Sequence, residues 1–197
     1  MFTKFKLLRS LIQFLPLILL FNCSNPSNDI FVEEFNWQLS LPNELVKTEI
    51  KEIEKSKEKG IKTIEEAYNQ RVIITAKKLF DYQYENHKYN NISAQYKILD
   101  STKSFLNEFK RASEIMMNSV KYKFPDLEIE PNYSTQLIDG LEFQLFELKL
   151  PGDDGVTTTF INVSNIFDDK MLDVLIVYQD SLKGKKLFNA VVKSTFN

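Results

Sequence analysis

The chain has 197 residues, a formal net charge of −2, 16 Phe, 8 Tyr, and only 5 Gly and 6 Pro. That is the composition of one folded domain with a sizeable core, and not that of a disordered chain. A single cysteine and a single histidine exclude an intrachain disulfide and any zinc site built from several Cys and His ligands.

Lys4, Lys6 and Arg9 precede an apolar run over residues 11–21, which is broken by Gln13 and Pro16 and followed by Cys23. The run is too short to span a bilayer, which takes about 20 apolar residues. It suits the ~7–15-residue apolar stretch of a secretory leader. Residues 1–22 resemble a bacterial lipoprotein signal peptide, with Leu20-Phe21-Asn22-Cys23 as the lipobox. Asn22 stands where Gly, Ala or Ser is usual. The resemblance implies that Cys23 is lipidated and begins the mature protein, and that the chain is held at the bacterial cell envelope. Ser24 in the next position resembles lipoproteins sent to the outer membrane. The acyl chains then supply the membrane affinity. Without the leader's three basic residues, 22 Lys and Arg face 27 Asp and Glu. That balance argues against nucleic acid or an anionic membrane surface as the main partner.

Residues 23–33 read as a lipid-anchored tether running into a first extended segment, and residues 34–197 as one α+β domain. Residues 35–41 alternate strictly, with Phe35, Trp37, Leu39 and Leu41 on one face of a half-buried strand. A helix follows over residues 48–69, capped by Thr48, with Ile50, Ile53, Ile61, Ile64 and Tyr68 as its stripe and Gly60 tolerated inside it. Residues 72–76 are β-rich and 79–84 continue them. The segment 85–88 turns, and residues 89–99 return with Ile92, Ala94, Tyr96 and Ile98 on one face. Asp100 or Ser101 caps a second helix, buried through Phe105, Phe109, Ala112, Met116 and Val120, which stops before Pro125. A meander closes the chain. Residues 133–138 and 141–150 flank Asp139-Gly140, a type I′ hairpin signal. Residues 156–166 and 171–178 flank Asp168-Asp169. A last helix over 181–196 presents Leu187, Phe188, Val191 and Val192.

Strands grouped in runs predict an antiparallel sheet of about six to seven strands sandwiched by helices. The opening Phe35-Asn36-Trp37-Gln38-Leu39-Ser40-Leu41-Pro42 is similar to the aromatic strand running into Leu-Pro in the Mog1/PsbP-like group. The long helix, the late hairpins and the C-terminal helix agree with it. The resemblance covers most of residues 31–197 and implies that fold. It further implies a non-enzymatic accessory or binding protein, since the group spans photosystem accessory subunits, a nuclear-transport cofactor and many proteins of unknown role.

The candidate sites read as structural. His87, the sole imidazole available to a Ser-His-Asp triad, falls in a polar turn. Asp153-Asp154 and Asp168-Asp169 lack the alternate carboxylates of a calcium loop and read as solvated turns. Glu142 and Glu147 lie an odd number of positions apart on one strand, so they face opposite sides and cannot form a glycosidase pair by themselves. The Lys- and Glu-rich stretch 47–66 reads as a solvated helix face, with Glu58–Lys62 and Glu54–Lys57 as favourable pairs. Its sharper reading is a partner-binding helix. No catalytic residue, metal site or cofactor is expected. The expected role is an envelope-anchored lipoprotein that binds or supports another envelope protein. The alternative is a small-molecule or lipid-binding lipoprotein with a pocket between sheet and helices.

Overall fold

A computed structural model of the protein describes residues 28–85, 87–152 and 155–196. The expectations for residues 1–22, for Cys23 and for Asp153-Asp154 lie outside the described residues. Ordered pairing begins at once. β1 (Asn28–Val32) runs antiparallel to β2 (Trp37–Leu41), so the segment expected as tether is strand from Asn28 onward. Between the two strands Glu33–Phe35 forms a 3-10 turn that ends at Asn36 with φ 47°. Asn tolerates this left-handed conformation better than most residues. The turn replaces the strand start expected at Phe35, yet the ring still reaches the core.

β3 (Leu45–Lys47) leads into α1 (Ile50–Tyr68). Thr48 does not cap this helix, because its hydroxyl donates to Asp81 Oδ1 at 2.7 Å and Glu49 takes the cap position. α1 ends at Asn69, which is left-handed at φ 48°. Residues 71–76 are irregular, contrary to expectation, and Ile73 is exposed. A run of β-branched residues makes a strand only where a neighbouring strand pairs with it. Pairing resumes with β4 (Lys77–Tyr84) and β5 (His87–Ile98). Ile98 shares the face of Ile92, Ala94 and Tyr96 but is exposed at the strand end, and Leu99 is buried, its N–H donating to Asp169 O at 2.7 Å. α2 (Phe105–Lys123) starts from Ser104, and neither Asp100 nor Ser101 caps it. Asp100 Oδ1 accepts from the N–H and hydroxyl of Thr102, a local turn ahead of the helix.

β6 (Asn132–Ile138) and β7 (Leu141–Pro151) join through Asp139 and Gly140, at φ 50° and 76°, the paired positive angles of a type I′ turn. β8 (Thr157–Phe167) and β9 (Lys170–Tyr178) turn at Asp168, φ 54°. Asp180 caps α3 (Ser181–Val192) by accepting from the N–H groups of Leu182 and Lys183. The helix stops at Val192, short of the expected Phe196. The chain then extends as β10 (Thr195–Phe196), antiparallel to β2.

Among the described residues two sheets result, one of three strands (β1-β2-β10) and one of seven antiparallel strands in the order β3-β4-β5-β9-β8-β7-β6. One face of the larger sheet presents Ile92, Ala94, Phe143, Val163, Leu172 and Ile176. The small sheet and α3 cover that face. The other face packs Phe146, Leu148 and Met171 against Phe109 of α2, and α1 lies against α2. The structure is thus α+β, with helices on both sides of an antiparallel sheet.

Trp37 is fully buried, donates from Nε1 to Ser194 Oγ at 2.7 Å and stacks on Phe196 at a centroid distance of 5.6 Å. The Trp37→Ala variant should lose about 3–5 kcal/mol of stability in a urea titration. Gly184 lets α3 approach β9, since a Cβ there would run into the near edge of the Tyr178 ring. Gly184→Ala should therefore cost about 1–3 kcal/mol, read as a lowered melting temperature.

Candidate functional site

The α2-facing side of the large sheet is not uniformly apolar. Antiparallel register places Lys78 opposite Gln95, Gln95 opposite Asp173, Asp173 opposite Ser164, and Ser164 opposite Gln144. One polar row therefore crosses five neighbouring strands. In the next row Ser93 stands opposite Leu175, and Leu175 opposite Asn162. Between this part of the sheet and α2 lies a cavity of about 230 Å³, lined from the sheet by Lys78, Ser93, Gln95, Asn162 and Asp173. Met116 of α2, with Phe146 and Leu175 of the sheet, makes its apolar wall.

Asp173 is the centre of the site. Its Oδ1 accepts from Ser164 Oγ at 2.5 Å, and Ser164 is fully buried. Asn162 Nδ2 donates to the same Ser164 oxygen at 3.1 Å and also hydrogen-bonds the carboxylate. The residue keeps some solvent contact through the cavity, but protein crowds its carboxyl. Burial pushes the Asp173 pKa up, against the opposing pull of the Ser164 hydrogen bond, the Lys97 charge and the Asn162 hydrogen bond. Lys97 does not itself bind Asp173, since its Nζ lies 3.0 Å from Glu108 Oε2 of α2. That hydrogen bond, with Arg111 also close, holds Glu108 below the usual carboxylate range. Lys78 at the rim is engaged by Asp81 at 2.9 Å. The cavity can therefore hold a small molecule with hydrogen-bonding groups at one end and a short apolar part at the other. Asp173 is the one carboxylate among its described lining residues, which leaves no second acid for paired acid–base work.

On the opposite side of the molecule a broad open groove runs between β2 and α3, flanked by Glu44 and Lys186, which pair at 3.0 Å. Nearby, the buried Tyr84 hydroxyl finds no hydrogen-bond partner. Burial, with Glu44 and Asp180 adding to it, pushes that phenol up to about 12.

The residues weighed from the sequence do not converge on either feature. His87 is exposed at the start of β5. Asp168 and Asp169 are exposed in the β8–β9 turn. Glu142 is exposed and Glu147 pairs with Lys149 at 2.9 Å, on opposite faces of β7. Lys62 reaches forward to Glu66 at 3.9 Å rather than back to Glu58. Among the described residues no group of three or more His, Cys, Asp or Glu could hold a metal ion, and no helix is long and apolar enough to cross a membrane. Sequence reasoning missed Asp173. A signal for it existed, because one acid interrupts the run Met171-Leu172-Asp173-Val174-Leu175-Ile176-Val177, in a strand covered on both faces.

No protein-family model matches the chain, and no curated protein matches it. The solution structure of cyanobacterial PsbP (CyanoP) from Synechocystis sp. PCC 6803 is similar in fold, at a TM-score of 0.52 and 11% identity. The match covers 87% of this chain and 92% of that one. The fold is PsbP-like. At that identity the likeness concerns the fold alone.

The raised Asp173 pKa sets a sign for stability against pH. Its contribution is fully present below the ordinary aspartate range and is lost as pH rises through the folded-state value. Asp173→Asn should therefore be more stable than the parent protein at pH 7, with the gap closing as pH falls below about 4. Paired urea titrations at the two pH values check this, and a variant that is less stable at pH 7 would contradict it.

Proposed function

We propose that the protein is a lipid-anchored accessory protein of the bacterial envelope, held at the membrane through Cys23 and acting on a second envelope protein without catalysing a reaction. The observation that carries this reading is the distance from Cys23 to the fold. Asn28, the first residue of β1, comes five positions after Cys23. An extended chain of that length reaches about 18 Å. An acylated Cys23 would hold the domain against the bilayer surface, where local concentration makes weak contacts effective. α1 offers a surface for such contacts. None of its residues is buried, Ile50 is 73% exposed, and Ile53, Ile61 and Ile64 are only half covered. Apolar area left open beside charged residues is the kind of surface that a protein partner covers. Ser24 supports the outer membrane as the destination.

A second reading has its own observation. The cavity between α2 and the sheet supports the alternative of a small-molecule-binding lipoprotein. Its walls differ from the deep Phe- and Tyr-lined cavity that a lipid would need, because polar groups make up its floor.

Intact mass of the membrane-extracted protein, beside Cys23→Ser, tests the anchor. The expected mass is that of residues 23–197 plus acyl chains, with the acyl mass absent from the variant. An uncleaved or unacylated parent protein would overturn the reading.

A further inference from the structure

An acid in the middle of a covered sheet face is costly unless something compensates it. Ser164 and Asn162 supply hydrogen bonds to Asp173 but no charge. The two nearby cations are occupied, Lys97 by Glu108 and Lys78 by Asp81. Yet the row that carries Asp173 also carries Lys78, two strands away, and both line the same cavity. Strand spacing puts their backbones about 10 Å apart. The cavity thus has an acid at its floor, a cation at its rim, amide and hydroxyl groups between them, and an apolar wall made by Met116, Phe146 and Leu175. At about 230 Å³ it falls below the ~300–1,000 Å³ of pockets for drug-sized ligands, so its occupant must be small.

We propose that this cavity binds a free amino acid as its zwitterion, the ammonium group on Asp173 and the carboxylate on Lys78. The inference rests on reading the cavity as a small-molecule site and names what that site takes. The ammonium brings Asp173 a directly paired positive charge beyond the more distant Lys97, and Gln95 and Ser93 lie between the two charged ends to accept or donate further hydrogen bonds. Lys78 and Asp81 form a rim pair, with the Lys78 side chain 39% exposed, and such pairs are weak enough to be exchanged for a ligand carboxylate. The aliphatic part of a short amino acid packs on Met116 and Leu175. An amine without a carboxylate leaves Lys78 unused, and a carboxylate without an amine meets Asp173 as a like charge.

The test is calorimetric titration of the full detergent-extracted protein with L-alanine, L-leucine and γ-aminobutyrate, beside propylamine, propionate and a set of small neutral polar compounds. The expected result is saturable binding of at least one amino acid, with propylamine and propionate at least tenfold weaker. Asp173→Asn and Lys78→Met should each weaken that binding at least tenfold while keeping a cooperative melting transition. Propylamine binding as tightly as the amino acids, or a neutral compound binding in their place, would overturn the zwitterion and leave the cavity a small-molecule site. Heat-silent titrations with every compound, and no change in melting temperature with any of them, would overturn both.

Discussion

Burial of one indole ties the two ends of the folded chain together. Trp37 sits in β2, close to the start of the described fold, and its ring N–H is satisfied by Ser194, near the end. The same ring lies parallel to Phe196, which in turn stacks on Phe167 and contacts Phe143. A buried indole N–H without an acceptor is strongly unfavourable, so the position of Ser194 is set by Trp37 as much as the reverse. Asp139 completes the closure by accepting from the Phe196 N–H at 2.7 Å, which fastens β10 to the β6–β7 turn. The small sheet exists because of this arrangement. β10 is two residues long and would not pair in isolation.

That closure makes the two faces of the large sheet unequal. The face under α3 and the small sheet is predominantly apolar and is sealed by aromatic rings, with Asn90, Thr159 and the Tyr84 hydroxyl as its buried polar groups. The face under α2 is covered by one helix whose buried residues are Phe109 and Ser113. One helix cannot seal seven strands, so the polar row from Lys78 to Gln144 falls partly beneath its edge and a cavity remains. The side that carries stability and the side that carries chemistry are therefore separate. A change in the Asp173 surroundings can leave the Trp37 cluster untouched, because the two lie on opposite faces of the same strands.

α1 follows from the same imbalance. It rests mainly on α2, through Asn118 to the Tyr68 hydroxyl at 2.8 Å and Lys123 to Glu66 at 3.6 Å, and touches the sheet where Gln83 of β4 donates to Glu52 at 3.2 Å. Its apolar stripe has too little to cover, and its Lys- and Glu-rich faces keep the rest in water. The helix, with none of its residues buried, consequently has surface to offer another molecule and is lightly held by packing.

Period-two and helical patterns made most of the elements legible. Trp37, Leu39 and Leu41 on one face of β2, the Asp139-Gly140 hairpin, the stripe of α2 and the group around Leu187 of α3 are local properties, written in residue spacing and turn chemistry. The errors share a physical origin. Residues 72–76 had strand propensity but no partner strand, Phe35 kept its burial while its backbone turned, and β10 is a strand only because β2 passes beside it. The site was hidden for the same reason. Asp173 stands out in its own strand as the one acid of an apolar run, but Lys78, Gln95 and Ser164 do not stand out in theirs, and the alignment of all four depends on register between segments distant in sequence. The resemblance of residues 1–23 to a lipoprotein leader is a matter of sequence alone, because it is carried by local composition. The cavity and the row that crosses it belong to tertiary structure, because strand pairing brought together residues that no local pattern connects.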